Sequence, residues 1–460
     1  MVFKNIGILG FAKITRVIIQ IISLGFLSRI LTNEDFGITG IALSLIGFFK
    51  LFSEVGLGQS IVRSKSIKNE EINSLMFFSL FIGFCLSVII LLTSGIISRK
   101  INIPETQTVL IILIPLILIE SIKSILQGLH QRNMMFKKIV FPQLSAYIFG
   151  YIPISFYLAI NQYGYYSVIY GVLASASLEA LMLCLNSSNN YKFNFSYKFL
   201  HVKKHVSFSL YLTLNRFISY AASNFDNLLI GALLGKGALG IYTRSYLVIT
   251  HPTDVIGQSI QSVLFSKLSK ENHQSRFKQY ESFLYLTLYS SVLISFLIIL
   301  FSDLIIDLIL GDGWSSVKFL VCILAVGIPA RTISKIGDAH QKSIGNSKQL
   351  LFISIASLIS VISVIYISYD QGLYQICFGL SMSFILISIL KDILVRSCEK
   401  FNLKDVLSFY SIYGFCSITL YLFTITTTMK PLLYYSLSSI FFLMITYLLF
   451  NLLRKLRHEN

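Results

Sequence analysis

The chain has 460 residues, of which 55% are hydrophobic and only 13% are charged. A soluble domain carries about 25% charged residues, and a chain this poor in charge cannot cover a water-facing surface with polar groups. Composition therefore excludes a soluble globular enzyme, a disordered chain and an ordinary nucleic-acid binder, and it makes a bilayer the solvent. The net charge of +17 would suggest nucleic acid in a soluble protein, so the placement of the charges decides its meaning.

Crossing about 30 Å of hydrocarbon takes about 20 apolar residues in a helix. Fourteen segments meet this requirement, the first six near 6–31, 37–62, 73–98, 108–131, 139–160 and 164–186. A polar connection at 187–206 leads to 207–235, 238–266, 281–303, 316–341, 349–369, 371–396, 405–427 and 431–453. The sequence therefore predicts an all-α polytopic membrane protein with about 14 transmembrane helices. The connection at 235–238 is short enough to force a tight hairpin. The first segment is too long for a cleavable signal, holds Lys13 and Arg16, and lacks a small-x-small cleavage site.

Loop charges support this count. With a cytoplasmic N-terminus, the inside segments hold 23 Lys and Arg residues and the outside loops hold five. That imbalance satisfies the positive-inside rule with both termini cytoplasmic, so most of the +17 sets topology. The six cysteines have neither zinc nor redox spacing, and they read as small core residues.

Ten bases remain within the spans, at Lys13, Arg16, Arg29, Lys50, Lys123, Arg216, Arg244, Arg331, Lys335 and Lys391, with seven acids at Glu54, Glu120, Glu179, Asp226, Asp254, Asp338 and Asp392. A lone charge at a helix centre costs about 2.5–3.5 kcal/mol, so these groups must pair, reach an interface or face water. Lys50 with Glu54 and Glu120 with Lys123 have the spacing of self-neutralising pairs on one helix face. Arg29 and Lys391 lie near span ends, where long side chains snorkel. Lys13, Arg16 and Gln20 form a polar stripe on the first span, and Arg331, Lys335 and Asp338 form another on the tenth, where Asp338 can pair with Lys335. The seventh and eighth spans are also polar, with Arg216 and Asp226 on one and Arg244 and Asp254 on the other. A cavity with surplus positive charge suits an anion such as a phosphate headgroup, and an internal network of satisfied ion pairs is the alternative.

No G-x-x-x-x-G-K-[ST] or D-x-D motif occurs, and the longest connection, about 20 residues, leaves no room for a separate catalytic domain. His201 and His205 lie in that basic connection and read as a solvated face. The sequence thus points away from an enzyme and implies no cofactor.

The chain also carries a weak internal echo. Leu31, Phe36, Gly37 and Ile38 recur as Leu234, Leu239, Gly240 and Ile241 at an offset of 203 residues. Gly-Gln-Ser-Ile occurs at Gly58–Ile61 and at Gly257–Ile260, at an offset of 199. Six spans separate the copies, so the repeats are parallel.

The run from Leu27 to Gly37, reading LSRILTNEDFG, resembles the first hairpin of bacterial polysaccharide flippases, as does Phe52–Gly58 followed by Ile61, Val62 and Arg63. The segments Asn224–Gly231 and Leu239–Tyr246, then Pro252, Val263–Phe265, Leu268, Ser269 and Gly311–Trp314, extend the likeness. Over residues 1–330 the chain resembles the Wzx-type polysaccharide flippase family, close to its colanic-acid-exporter-like branch within the multidrug/oligosaccharidyl-lipid/polysaccharide exporter superfamily. Where Glu54 stands, the family often has Asp.

The resemblance implies two six-helix lobes around a central cavity plus two C-terminal helices, divided as 1–190, a basic linker at 191–206, 207–400 and 401–460. It implies a bacterial inner-membrane transporter moving undecaprenyl-pyrophosphate-linked oligosaccharide units to the periplasmic leaflet by alternating access. Membrane lipids would be further partners, with polymerase and chain-length proteins of the same pathway, and nucleic acid none. Arg16, Lys13, Arg216 and Arg244 are the candidates for the anionic headgroup, followed by Arg331 and Lys335. Glu54 or Asp226 would serve H+ or Na+ coupling. Three rivals are a multidrug exporter, which should favour an acidic cavity, a polysaccharide polymerase or ligase, which needs a large periplasmic loop, and a peptidoglycan-precursor flippase.

Overall fold

The structure is a computed structural model that describes residues 2–54, 56–64, 67–188, 198–268, 273–311, 313–344, 346–397, 413, 414 and 419. All the regular elements in this part are helical. Helices α1 (Val2–Ser28) and α2 (Asn33–Glu54) fill the first two expected spans. The second span is not continuous as expected, because Gly56 adopts a φ of 63° and begins the separate α3 (Leu57–Arg63). The third span is α4 (Asn69–Ile101), and the fourth is α5 (Glu105–Ile112) joined through Leu113 to α6 (Ile114–Arg132). The fifth runs from α7 (Lys137–Ala146) to α8 (Ile152–Ile160) through a π-helical stretch, Tyr147–Tyr151. Pro153 has no N–H for the carbonyl of Phe149, which lies inside that widened turn.

Helix α9 (Tyr166–Ser188) is the sixth span, and α10 (Phe199–Leu268) carries the seventh and eighth. Helix α11 (His273–Leu300) and the short α12 (Ser302–Ile309) lead to α13 (Ser315–Ala325) and α14 (Ile328–Ser343), a tenth span bent by 48°. Helices α15 (Ser347–Ser368) and α16 (Leu373–Ser397) follow. Among the described residues eight helical stretches are long and apolar enough to cross a bilayer, and the α13–α14 pair makes a ninth. The protein is a multi-pass membrane protein. The expected spans at 405–427 and 431–453, apart from residues 413, 414 and 419, lie outside the described residues, as do 189–197 of the 187–206 connection and the side chain of Lys13.

Helix α4 shows what this solvent does to a sequence. Phe77, Phe81, Phe84, Val88 and Leu92 recur on one face and are exposed, whereas Ser79, Gly83, Ser87, Ser94 and Ser98 are buried. In lipid, Leu gains little by leaving the solvent, so small residues that permit close approach take the interface. A Cβ on Gly83 would stand 2.7 Å from Ser121 Oγ on α6, and the Ser79 hydroxyl lies 3.2 Å from the Ser53 and Ser121 carbonyls.

Packing divides the chain into two compact units, one of Met1–Thr243 with Ile309–Gly311 and the other of Arg244–Leu308 with Asp312–Asn460. Within the first unit, α10 turns back on itself at Gly235, whose φ of 85° and ψ of 174° leave the helical region. Tyr242 Oη donates to Asp226 Oδ2 at 2.5 Å although the residues are 16 apart in sequence. In a straight helix they would lie about 24 Å apart, so the contact demonstrates the hairpin expected at 235–238.

This hairpin crosses the first one reciprocally. A Cβ on Gly37 would fall 1.8 Å from the Lys236 carbonyl oxygen, and one on Gly240 would fall 1.7 Å from the Asn33 carbonyl oxygen. Gly37 and Gly240 are 203 residues apart, and so are Asn33 and Lys236. The echo thus marks two equivalent turns, each seating the other's backbone on a glycine. Lys236 reinforces the crossing with ion pairs to Glu105 at 2.6 Å and Glu34 at 3.1 Å.

In the second unit, Asp338 pairs with Lys391 at 2.7 Å. This corrects the expectation that Asp338 serves Lys335 and that Lys391 snorkels. Arg396, the last residue of the expected span 371–396, is 2% exposed and pairs with Asp392 at 2.8 Å and Glu281 at 2.9 Å, while Tyr280 donates to Asp392.

Gly37→Ala should lower the thermal unfolding midpoint of the detergent-solubilised protein by the equivalent of about 1–3 kcal/mol or more, because a backbone carbonyl cannot move aside as a side chain can. Gly95→Ala, whose new methyl would meet Gln107 at an ordinary 3.6 Å, should leave the midpoint unchanged or raise it. Equal behaviour of the two variants would contradict the close crossing.

Candidate functional site

A polar cavity of about 330 Å³ lies inside the first unit. Helix α1 contributes Arg16, α2 contributes Lys50 and Glu54, and α3 contributes Gly58 and Gln59. Helix α6 lines it with Glu120, Lys123, Ser124, Gln127, Gly128 and Gln131, which share one face at helical spacing. Gln143 of α7, Glu179 of α9 and Arg216 of α10 complete the wall with Gly56. Among the described lining residues no side chain is apolar.

Six of the seven charges form one chain. Lys123 bridges Glu179 at 2.6 Å and Glu120 at 2.9 Å, and Lys50 reaches Glu120 at 3.1 Å. Glu54 is held more loosely, 4.0 Å from Lys50 and 3.7 Å from Arg216. Gln127 donates to the other Glu179 oxygen at 2.9 Å. The side chains of Lys123, Glu120 and Glu179 are 7%, 11% and 11% exposed, whereas those of Lys50 and Arg216 are each 39% exposed. Burial therefore grades the chain from a desolvated core at Lys123 to cations open to the cavity. Among the described residues no carboxylate lies within ion-pair distance of Arg16, so four bases face three acids.

The expected site residues divide between the units. Arg16, Arg216 and Glu54 come together in this cavity. Asp226 is 4% exposed and accepts hydrogen bonds from Tyr242 and the Asn227 N–H, within the α10 hairpin. Arg244, Arg331 and Lys335 belong to the second unit. There the Arg331 guanidinium lies 4.2 Å from the ring centres of both Tyr246 and Phe384, and Lys335 Nζ donates to the Thr253 carbonyl at 3.4 Å.

Sequence spacing found the pairs Lys50–Glu54 and Glu120–Lys123 but read them as self-contained. It assigned no role to Glu179 or to the four glutamines of the wall. The available signal was the stripe Glu120, Lys123, Gln127 and Gln131 at helical spacing on α6.

A family profile described as "Polysaccharide biosynthesis protein" matches residues 26–319. The chain belongs to that family. It is 24% identical over 341 residues to "Lipopolysaccharide biosynthesis protein WzxC" of Escherichia coli (strain K12), covering 70% of this chain and 66% of that protein. The chain thus spans just under two thirds of that relative's length. A "Putative O-antigen transporter" of Shigella flexneri is 24% identical over 417 residues, covering 84% of this chain and 96% of that one. Among solved structures, "Lipid II flippase MurJ, inward closed conformation" superposes with a TM-score of 0.69 at 17% identity, covering 95% of this chain and 98% of that one. At that identity the likeness is one of fold.

Lys123→Met should destabilise the protein by about 3–5 kcal/mol, because it strands two buried carboxylates. Lys50→Met should cost much less, since Glu120 keeps Lys123. Restoring neutrality with Glu120→Gln and Glu179→Gln should recover most of the loss in thermal unfolding. Equal losses for Lys123→Met and Lys50→Met would contradict the grading.

Proposed function

We propose that this protein is a flippase of the bacterial inner membrane. It moves undecaprenyl-pyrophosphate-linked oligosaccharide units from the cytoplasmic to the periplasmic leaflet for surface polysaccharide assembly. The observation that carries this reading is a cavity with surplus positive charge and, among its described lining residues, no apolar side chain. Such a space suits a hydrophilic anion, and it leaves the polyprenyl tail in the bilayer. The names of the relatives in Escherichia coli and Shigella flexneri agree with a polysaccharide load.

With both termini cytoplasmic, the Gln131 end of α6 faces the cytoplasm and Glu120 lies about 16 Å deeper. Arg16 and Arg216 are the groups we assign to the pyrophosphate. Glu54 holds Arg216 at 3.7 Å, a distance at which an incoming phosphate oxygen or a proton on the carboxylate can replace the pairing. Glu54 is therefore the stronger candidate for H+ coupling, because the Asp226 carboxylate is already engaged by Tyr242. Lys13 and Arg244 are further candidates for the anionic headgroup, followed by Arg331 and Lys335. Transport would proceed by alternating access, with 1–190 and 207–400 as the lobes, 191–206 as their linker and 401–460 as an added helix pair, and polymerase and chain-length proteins would receive the product.

The multidrug reading is weaker because a lipophilic cation needs apolar walls and surplus acid. A polymerase or ligase would need a large periplasmic loop, and the described turns between helices on that side are short.

Cells lacking the protein should accumulate complete lipid-linked units on the cytoplasmic leaflet and lose the surface polymer. Unchanged lipid-linked sugars in the extract would remove the proposal. Arg16→Ala should reproduce that accumulation with normal membrane insertion, and normal export by this variant would overturn its assignment.

A further inference from the structure

The cationic groups account for only part of the cavity. Four carboxamides face the same space, from Gln59, Gln127, Gln131 and Gln143. Each offers two N–H donors and an acceptor oxygen. The Gln127 carboxamide is used by Glu179, whereas among the described residues the side-chain carboxamides of Gln59, Gln131 and Gln143 have no hydrogen-bonding partner.

Their placement is built into the backbone. A Cβ on Gly128 would stand 2.6 Å from the Gly58 carbonyl oxygen, and one on Gly58 would stand 2.5 Å from the Ser124 carbonyl oxygen. Helices α3 and α6 therefore cross at backbone contact. The crossing sets Gln59 next to Gly58 on one helix and Gln127 and Gln131 either side of Gly128 on the other. Gln143 on α7 faces the same cavity. This group lies on the Arg132 side of α6, whereas Glu120 and Lys123 occupy the other end of the stripe.

A cation site alone would bind any polyprenyl pyrophosphate. Carboxamides recognise neutral groups with paired donors and acceptors, of which saccharide hydroxyl and acetamido groups are examples. We infer that Gln59, Gln131 and Gln143 form a saccharide-reading wall, which engages the sugars next to the pyrophosphate and sets which lipid-linked unit is carried. The inference rests on the flippase reading and adds selectivity to it. Hydrogen bonds to such groups are worth more in discrimination than in gross affinity, because a ligand lacking the matching group leaves the site's polar atoms unpaired.

The test compares two probes on the full-length protein in lipid nanodiscs. One is undecaprenyl pyrophosphate without sugar. The other is the lipid-linked oligosaccharide that accumulates in cells lacking the protein. The wild type should bind the sugar-bearing lipid about tenfold or more tighter than the bare one. The triple variant Gln59→Ala, Gln131→Ala and Gln143→Ala should lose that increment while binding the bare lipid within about twofold of wild type. Its unfolding midpoint should hold, since none of the three carboxamides makes a hydrogen bond to lose among the described residues.

Equal binding of the two probes by the wild type would overturn the wall. So would a triple variant that keeps the preference, or one that loses both probes equally. Failure of the wild type to bind either probe, or absence of any accumulated lipid, would instead remove the flippase reading on which the wall stands.

Discussion

Lys123 lies between Glu120 and Glu179 at 2.9 and 2.6 Å, and the rest of the site depends on this buried three-charge link. A bilayer gives no water to an unpaired charge, and each lone charge at mid-membrane costs several kcal/mol. Two carboxylates on α6 and α9 therefore need a common cation, and Lys123 brings the two helices together around itself. Its surplus negative charge draws in Lys50, and Glu54 then stands between Lys50 and Arg216. The pairing distances lengthen outward, from 2.6 to 3.7–4.0 Å, as the side chains become wetter. The same network is thus rigid where it is dry and exchangeable where it meets the cavity. That gradient is the physical basis for assigning structure to one end and ligand binding to the other.

Backbone geometry supports the arrangement from two sides. The break at Gly56 falls beside Glu54, so the second span loses its regular helix at the level of the cavity. Interrupted spans are tolerated in membranes where they border protein or a wet cavity. At the opposite end of the same span, Gly37 and Gly240 seat each other's turns. A pair of contacts related by the repeat offset is what a duplicated hairpin produces when its two copies meet about a common axis.

Most of the architecture was legible because hydrophobic length and loop charge are local quantities. The twelve expected spans that fall on described residues match helices or helix pairs, with α10 and α11 each beginning eight residues earlier than expected, and the hairpin at 235–238 is where two spans leave no room for anything else. The pairs at spacing three and four were legible for the same reason. Glu179 was not, because its partner lies on another helix and no spacing rule reaches it. Asp338 was assigned to Lys335 on its own helix, but Lys391 of α16 takes it. The break at Gly56 was hidden because the segment 37–62 has the length and mean hydropathy of one span. The glutamines were not legible because a neutral amide in a span carries a far smaller penalty than a charge and so does not demand a partner.

The most direct test of the account is leaflet transfer in proteoliposomes that hold purified protein and a headgroup-labelled undecaprenyl-pyrophosphate-linked oligosaccharide. The account predicts transfer of the label to the opposite leaflet by the wild type and its loss in Arg16→Ala. Transfer that proceeds equally in both, or that never exceeds protein-free vesicles, would contradict the assignment of this cavity to the anionic headgroup.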